Sequence, residues 1–375
     1  GSQNRIDLRD IQSWKLSSIP VNSRGYNFGN NDLRSGYYRA QLSWYTIDPI
    51  FYSSRRPQNI NLDEISLNSV RRIFVDEIFP EIDLYQGESR TQNTFDMTIY
   101  PSEKGPYNNN LSSDFLSNVK NNWAGITRRM NSTNFKKTNV EYIQFWILDN
   151  FSENNNQPTQ IGDLVFHLGN ISEDILPDGK KQFENGLPTE SNNNSQVSNW
   201  GITPSSQSLT YAFSSILSER KMQDVGYDGL SDIDEINYYT NGNSTDPAND
   251  NYINYLDADG GVLDRYKNYN GSDGNSPLES DSNNRGSTNF PDNEDVNNDN
   301  TMNRINSYFE YRIPLKKNMS SENNPFIVDS RISEIKLPNG NLSKSKWLLF
   351  KVPIFKEYYE SRNLSQYFKA VNGIN

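Results

Sequence analysis

Apolar residues in this sequence are gathered into short segments, and long stretches rich in Asn, Asp, Ser and Gly separate these segments. Two of the polar stretches, residues 191–199 and 241–300, contain few aliphatic side chains that a core could bury. No apolar run approaches the length of a membrane-spanning helix. Together with an aromatic content of 12%, the pattern predicts short amphipathic strands joined by long loops, and therefore a mainly β fold.

Two segments give the strongest strand signals. Residues 140–148 (VEYIQFWIL) carry apolar side chains on both faces, whereas residues 163–168 (DLVFHL) place Leu164, Phe166 and Leu168 on one face. We predict that both are central strands of one sheet. Further strands are predicted within residues 33–52, 94–100, 307–315 and 346–355, and residues 61–79 are predicted to form a helix.

The chain of 375 residues is long enough for at least two packed units. The strand pattern favours a jelly-roll-like antiparallel β-sandwich with long Asn/Asp-rich loops, a second smaller β unit and a few short helices. We predict a β-sandwich domain over residues 1–190 and an acidic, loop-rich insertion over residues 191–306. Residues 307–375 are predicted to contribute C-terminal strands that pair back onto the β core.

Composition disfavours several classes of function. The formal net charge of −11 opposes binding to nucleic acids and anionic lipid surfaces. The sequence has no cysteine, and its one histidine, His167, is expected to be a half-exposed strand residue, which disfavours thiolate chemistry, zinc sites and a Ser-His-Asp triad. We therefore predict no enzyme activity. Glycoside hydrolysis by paired carboxylates is the weakest alternative, because 47 acidic residues always offer pairs.

An acidic loop at residues 224–235 (DVGYDGLSDIDE) has the ligand spacing of a calcium loop. A glycine at the sixth position, Gly229, permits the sharp bend, and a terminal glutamate can close the site with two oxygens. The third position is Gly226, so one ligand of the full set is missing. The predicted ligands at positions one, five, nine and twelve are Asp224, Asp228, Asp232 and Glu235.

A second loop, residues 295–306 (DVNNDNTMNRIN), has similar spacing and Asn300 at its bend. Its last position is Asn306 in place of the closing glutamate. Asp and Asn side chains that hydrogen-bond their own backbone in turns are the alternative for both loops. We predict a structural calcium ion, which would order loops that have no core. The predicted ligands of the second loop are Asp295, Asn297, Asp299 and Asn303.

A series of spaced motifs resembles the SprA family, whose members are also called Sov. The main motifs are residues 122–129 (NWAGITRR), 140–148 (VEYIQFWIL), 162–174 (GDLVFHLGNISED) and 179–188 (GKKQFENGLP). Further matches are residues 36–51, 224–235, 246–252, 263–269 and 295–309, and residues 3–8 (QNRIDL) resemble the start of one of the family's repeated N-terminal regions. Because family members are several times longer, the resemblance implies an excised N-terminal-type region.

The resemblance implies a place in the type IX secretion system and gliding motility of Bacteroidetes. Proteins of this family form a large outer-membrane barrel through which folded cargo passes, together with PorV-like shuttle proteins and a periplasmic plug. The expected partners are therefore the rest of the SprA barrel, these accessory proteins and secreted cargo. We expect a non-enzymatic structural and gating segment of the translocon, associated with the outer membrane and facing the cell surface or the periplasm.

A carbohydrate-binding β-sandwich module at the cell surface is the alternative function. Aromatic side chains can form a stacking platform for sugar, but a β-sandwich uses the same residues in its core. Specific binding on a glycan array that is lost on mutation of an exposed tryptophan would favour the carbohydrate-binding module. The residues concerned are Trp123, Trp146, Trp200 and Trp347.

Overall fold

The computed structural model describes a chain built mainly from antiparallel strands with a few short helices. This architecture confirms the predicted fold class. Within the described ranges, no helix combines the length and the apolar character that crossing a membrane requires. The described residues are 6–20, 22–23, 28–132, 134–135, 137–151, 160–184, 195–206, 210, 212–223, 226–239, 245–271, 273–274, 276 and 288–374.

Fourteen strands and six α-helices are described, besides short 3-10 helices. The strands are β1 (Lys15–Leu16), β2 (Ala40–Tyr45), β3 (Ile73–Phe74), β4 (Thr91–Gln92), β5 (Asp96–Lys104), β6 (Ile126–Thr127), β7 (Tyr142–Leu148), β8 (Gln160–Asn170), β9 (Ser195–Ser198), β10 (Gly201–Pro204), β11 (Asn306–Lys316), β12 (Ile327–Lys336), β13 (Leu342–Pro353) and β14 (Phe368–Ile374). The helices are α1 (Val75–Ile78), α2 (Asp114–Ser117), α3 (Leu217–Gln223), α4 (Asp232–Tyr238), α5 (Val262–Arg265) and α6 (Lys356–Ser361). The 3-10 helices are Ile11–Ser13, Leu33–Gly36, Pro49–Tyr52, Glu64–Ser66, Val119–Asn121 and Ser365–Tyr367.

Two three-stranded antiparallel sheets form a β-sandwich. Their strand orders are β14-β11-β8 and β12-β13-β7. Side chains of both sheets share one apolar core, in which the ring of Phe145 lies 5.5 Å from that of Phe166 and stacks 5.3 Å from that of Phe350. Alternation along each strand explains the sandwich, because every second residue points into this core.

The segments predicted as central strands of one sheet are strands, but their placement was wrong. β7 pairs only with β13 and β8 only with β11 among the described residues, so each is the last strand of a different sheet. The outer face of β7 is apolar because Trp146 and Leu148 pack beside Trp347 in a separate cluster. Burial on both faces therefore came from a second core and not from a central position.

The prolines of β11 and β13 lie at a locally unpaired edge and at a strand end. β14 pairs with β11 only as far as Tyr311, so Pro314 lies where β11 has β8 as its one neighbour. Pro353 is the last residue of β13. A proline cannot donate a ladder hydrogen bond, and neither place requires one on both sides.

The prediction of a helix over residues 61–79 was wrong. This segment contains a 3-10 turn, Glu64–Ser66, then β3 and α1. Its apolar side chains serve two clusters, with Ile65 and Val70 in one and Ile73 and Ile78 in the other. A single helix could not reach both cores, so the mixed apolar spacing did not mark one amphipathic face.

A buried ion pair ties this segment to the sandwich. Both nitrogens at the end of the Arg71 guanidinium donate to the Glu77 carboxylate, at 2.9 and 2.8 Å, and one also donates to Ser345 Oγ of β13 at 2.8 Å. All three residues are buried. The planar fork of arginine matches a carboxylate in this two-bond geometry, which fixes the orientation of residues 71–77 against the sheet.

Two further apolar clusters order the N-terminal part of the chain and the acidic region. One contains Leu42, Trp44 and Tyr107 together with Tyr227 and Ala248. The other is rich in tyrosine. Within the stretch predicted to lack a core, Tyr266 stacks on Tyr45 at 4.1 Å and on Tyr255 at 4.6 Å. Aromatic rings therefore supply burial that the scarcity of aliphatic residues concealed.

The predicted domain boundaries at 190/191 and 306/307 stay a prediction. The strand pairing shows only which strands the C-terminal residues contact. β11 and β13 pair with β8 and β7, which lie far earlier in the chain. The residues just around the first boundary, 185–194, lie outside the described residues.

The sandwich core predicts a clear mutational contrast. Phe350→Ala should lower the free energy of unfolding by about 3–5 kcal/mol, because it removes a fully buried ring from between the sheets. Ile332→Ala lies in the same sheet at an exposed site and should change it by less than about 0.5 kcal/mol. Urea denaturation followed by circular dichroism measures both. Equal effects of the two substitutions would contradict the assigned core.

Candidate functional site

The first acidic loop forms a tight turn that leads into α4. Gly226 and Gly229 adopt left-handed backbone angles, with φ of 69° and 68°. A Cβ atom at Gly229 would lie 2.0 Å from the carbonyl oxygen of Ile202, so the sixth position of the loop requires glycine. The turn ends at Ser231, whose side chain accepts from the Asp234 amide and caps α4.

Five carboxylates converge beside this turn. Oxygens of Asp228, Glu235 and Asp250 lie within 4.8 Å of one another, and so do oxygens of Asp232, Glu235 and Asp246. Glu235 belongs to both groups and is buried, as is Asp228. Oxygens on opposite sides of a calcium ion are up to about 5 Å apart, since each lies about 2.4 Å from the ion. The spread of each group therefore fits one coordination shell.

The hydrogen bonds of these carboxylates leave part of their capacity unused. Asp228 accepts from the Leu230 amide at 3.0 Å and from the Tyr239 hydroxyl at 2.7 Å, and Glu235 Oε2 accepts from the Ala248 amide at 2.9 Å. Oδ2 of Asp250 is buried and has no hydrogen-bond partner among the described residues. A buried, unpaired carboxylate oxygen is costly, and a bound cation would satisfy it.

Burial and mutual repulsion raise the pKa values of Asp228, Glu235 and Asp250. Burial raises the pKa of Asp228 to about 7. Burial, followed by repulsion from Asp228, raises the pKa of Glu235 to about 9. Burial, followed by repulsion from Asp228 and Glu235, raises the pKa of Asp250 well above its usual range. The fold therefore brings several carboxylates together in a buried site, where their negative charge is unfavourable. A bound cation would offset this charge, as in known cation sites.

The structure brings together three of the four residues predicted for this loop and adds two. Asp228, Asp232 and Glu235 lie in the cluster, and Asp224 lies outside the described residues. Asp246 and Asp250 were missed because they follow α4 and fall outside a twelve-residue calcium loop. Their spacing in DPAND is the one signal that could have indicated them.

The second loop is organised around a glutamate that spacing did not identify. Oε1 of Glu173 accepts from the amides of Val296 and Asn297, and Oε2 accepts from the amide of Asn303. Asp295 accepts from two backbone amides, and Asp299 accepts from the amide and hydroxyl of Thr301. The bond from the Thr301 amide to Asp299, two residues earlier, is that of an Asx-type turn. Cation binding by Asp295, Asn297, Asp299 and Asn303 stays a prediction.

His167 belongs to a polar network on the outer face of β8 and β11. Its Nε2 lies 3.1 Å from a carboxylate oxygen of Glu310 and 3.5 Å from the hydroxyl of Ser23, while Arg312 donates to the other oxygen of Glu310. A Ser-His-acid triad requires the serine and the acid on different ring nitrogens. Here both face the same nitrogen, so the arrangement is not that of a triad.

The four tryptophans of the carbohydrate alternative do not form a shared exposed platform. Trp200 and Trp347 are buried in apolar clusters. The guanidinium of Arg39 lies 4.7 Å from the ring centre of Trp123, and that of Arg331 lies 5.9 Å from the ring centre of Trp146. Core packing and cation–π contacts account for these rings.

The network around Glu310 predicts a pH dependence. Burial would raise the pKa of Glu310, but its hydrogen bonds and charge interactions with His167 and Arg312 outweigh burial and lower the pKa to about 2. The carboxylate therefore stabilises the fold above its ordinary pKa of 4.5, and this stabilisation is lost as the pH falls from there towards 2.

Glu310→Gln should consequently remove part of the acid sensitivity of the protein. Between about pH 5 and about pH 2 the wild type should lose on the order of 2–3 kcal/mol more unfolding free energy than this variant. Urea titrations at a series of pH values measure the difference. Glu334→Gln, at an exposed site of β12, is the control and should follow the wild type. The same acid sensitivity in the Glu310 variant would refute the assignment.

One comparison with known proteins gives a match. Residues 230–369 match the family model SprA_N, described as motility related/secretion protein. The matched range includes α4, four of the five clustered carboxylates and most of the C-terminal strands. A search of curated proteins finds no match.

Proposed function

The match over residues 230–369 supports membership of the chain in the SprA family of motility-related and secretion proteins, and on that premise we propose a non-enzymatic structural and gating role in the type IX secretion translocon of the outer membrane. The family match carries this proposal. The proposed partners are the rest of the translocon polypeptide, PorV-like shuttle proteins, a periplasmic plug and secreted cargo. The proposed location is the surface-facing or periplasmic side of the outer membrane.

The architecture supports a structural role in which the surfaces of the chain contact other parts of the translocon and its cargo. The sandwich has an apolar core that fixes two sheets, and the buried ion pair of Arg71 and Glu77 fixes a neighbouring segment to it. The net charge of −11 keeps the exterior polar and repels anionic surfaces. Function on such a scaffold depends on what its surfaces touch and not on the fold itself.

A test replaces residues of this region in the whole protein, in a host that glides and secretes by this system. Phe350→Asp places a charge in the sandwich core, and Ile332→Asp places the same charge at an exposed site of the same sheet. We expect the first to abolish cargo secretion and gliding and the second to leave both unchanged. Immunoblots of membrane fractions control for loss of the whole protein. Normal secretion with an unfolded sandwich would overturn the proposal.

We also propose that the clustered carboxylates hold a structural calcium ion. The supporting observations are the two oxygen groups that share Glu235 and the unpaired Oδ2 of Asp250. Calcium accepts six to eight oxygen ligands in flexible geometry, which suits ligands drawn from a turn, a helix and a following loop. The ligands would be Asp228, Asp232, Glu235, Asp246 and Asp250.

Calcium should raise the melting temperature, because an ion that binds only the folded state stabilises it. At about a hundredfold excess over Kd the rise should be roughly 5 °C. Asp228→Ala and the isosteric Glu235→Gln should abolish it, whereas Asp234→Asn, at an exposed site of α4, should retain it. Differential scanning calorimetry with calcium, magnesium and a chelator measures the effect. An unchanged melting temperature on chelation would remove the proposal.

A further inference from the structure

The segment DPANDN, residues 246–251, connects the carboxylate cluster to the two-stranded sheet of β2 and β5. Its two aspartates contribute carboxylates to the cluster. Between them, Nδ2 of Asn249 donates to Gln41 Oε1 in β2 at 2.9 Å and to the carbonyl oxygen of Lys104 in β5 at 2.8 Å. The segment that supplies two of the five carboxylates therefore also contacts the N-terminal part of the chain.

Ala248, in the middle of this segment, forms hydrogen bonds on both sides. Its amide donates to Glu235 Oε2 at 2.9 Å, and its carbonyl oxygen accepts from the amide of Tyr107 at 2.8 Å. Ala248 is completely buried, in the apolar cluster that contains Tyr107 and Tyr227. One residue thus joins a carboxylate of the cluster to the chain that follows β5. The hydrogen bond of the Tyr107 amide therefore reports whether the segment is docked.

Gly226 lies where a calcium loop ordinarily has its third ligand, and its lack of a side chain leaves room for Asp250. A Cβ atom at Gly226 would lie 1.9 Å from Asp250 Oδ2 and 2.5 Å from Asp250 Cγ. These distances are far below van der Waals contact, so the carboxylate can occupy this place only beside a glycine. The same Oδ2 is buried and has no hydrogen-bond partner among the described residues. The ligand that the turn lacks is thus supplied by the segment that follows α4.

We propose that bound calcium holds residues 246–251 against β2 and β5. In this arrangement Gly226 admits the carboxylate of Asp250 in place of the third ligand of the loop. The inference rests on the proposed calcium site and adds to it a contact that the ion controls. A ligand set drawn from two separate segments is complete only when both are in place, so the ion favours the docked segment over a detached one. Without the segment, the ion would retain only three of the five carboxylates, those of Asp228, Asp232 and Glu235.

The test is hydrogen–deuterium exchange of the whole chain in saturating calcium and in a chelator, at equal ionic strength. We expect calcium to slow exchange at least about tenfold in residues 226–239 and 246–251. It should also slow exchange of the Tyr107 amide, which is measured in a peptide that spans residues 103–110. This amide donates to Ala248 and not to a carboxylate, so its protection measures docking of the segment and not contact with the ion.

Matched glycine variants separate the space that Asp250 needs from backbone strain. Gly226→Ala adds a methyl group that meets Asp250, at a φ of 69°. Gly274→Ala adds the same group at a φ of 68°, where it meets no described atom within 4 Å. The first should abolish the calcium-dependent protection of the Tyr107 amide, and the second should retain it. Asp250→Asn, which keeps the size of the side chain and removes its charge, should also abolish it, and circular dichroism checks that each variant is folded.

The possible outcomes separate this contact from the calcium site itself. Protection of residues 226–239 by calcium, with unchanged exchange of the Tyr107 amide, would overturn the proposed docking and leave the calcium site standing. Full calcium-dependent protection of that amide in a folded Asp250→Asn or Gly226→Ala variant would have the same meaning. No effect of calcium on exchange anywhere in the wild-type chain would overturn both the docking and the site.

Discussion

Antiparallel pairing between strands that are distant in sequence is the constraint on which the rest of the structure depends. Asn170 at the end of β8 is opposite Ser307 at the start of β11, and Leu148 at the end of β7 is opposite Trp347 of β13. The chain between β8 and β11 is therefore one long insertion whose two ends are fixed in a single sheet. Such an insertion costs little in closure entropy, because each doubling of loop length adds only about 0.6 kcal/mol.

Buried carboxylates stabilise the insertion between β8 and β11, where apolar side chains are scarce. Glu294 accepts from the amides of Ile175, Leu176 and Gln182, so one side chain joins the two ends of a turn to a segment far along the chain. Asp273 accepts from the Leu16 amide and the Tyr227 hydroxyl and joins β1 to the acidic turn. A carboxylate that accepts several backbone hydrogen bonds organises a loop as a small core would. The high acid content of the sequence is thus partly structural.

Periodicity in the sequence identified where strands lie but not which strands are neighbours. The alternation around Phe145 and Phe166 correctly indicated β7 and β8, yet the apolar outer face of β7 suggested a central strand, when a separate cluster around Trp347 buries that face. In the acidic region, spacing indicated Asp228 and Glu235 correctly. Asp250 joins them only because the chain folds back after α4, and a local pattern carries no information about such a return.

The two parts of the chain consequently differ in what stabilises them. In the sandwich, apolar burial between Phe350 and its neighbours does not change with pH or ions. In the acidic region, the turn at Asp228 packs on an apolar cluster with Trp44 and Tyr107 while it holds carboxylates whose ionisation burial opposes. Neutralisation of that charge near neutral pH, by a proton or by a cation, therefore favours the folded acidic region, whereas the sandwich loses stability only below about pH 4.5, where Glu310 takes up a proton. Near neutral pH, solution conditions can thus act on the acidic loops of this chain while its sheets persist as a fixed support.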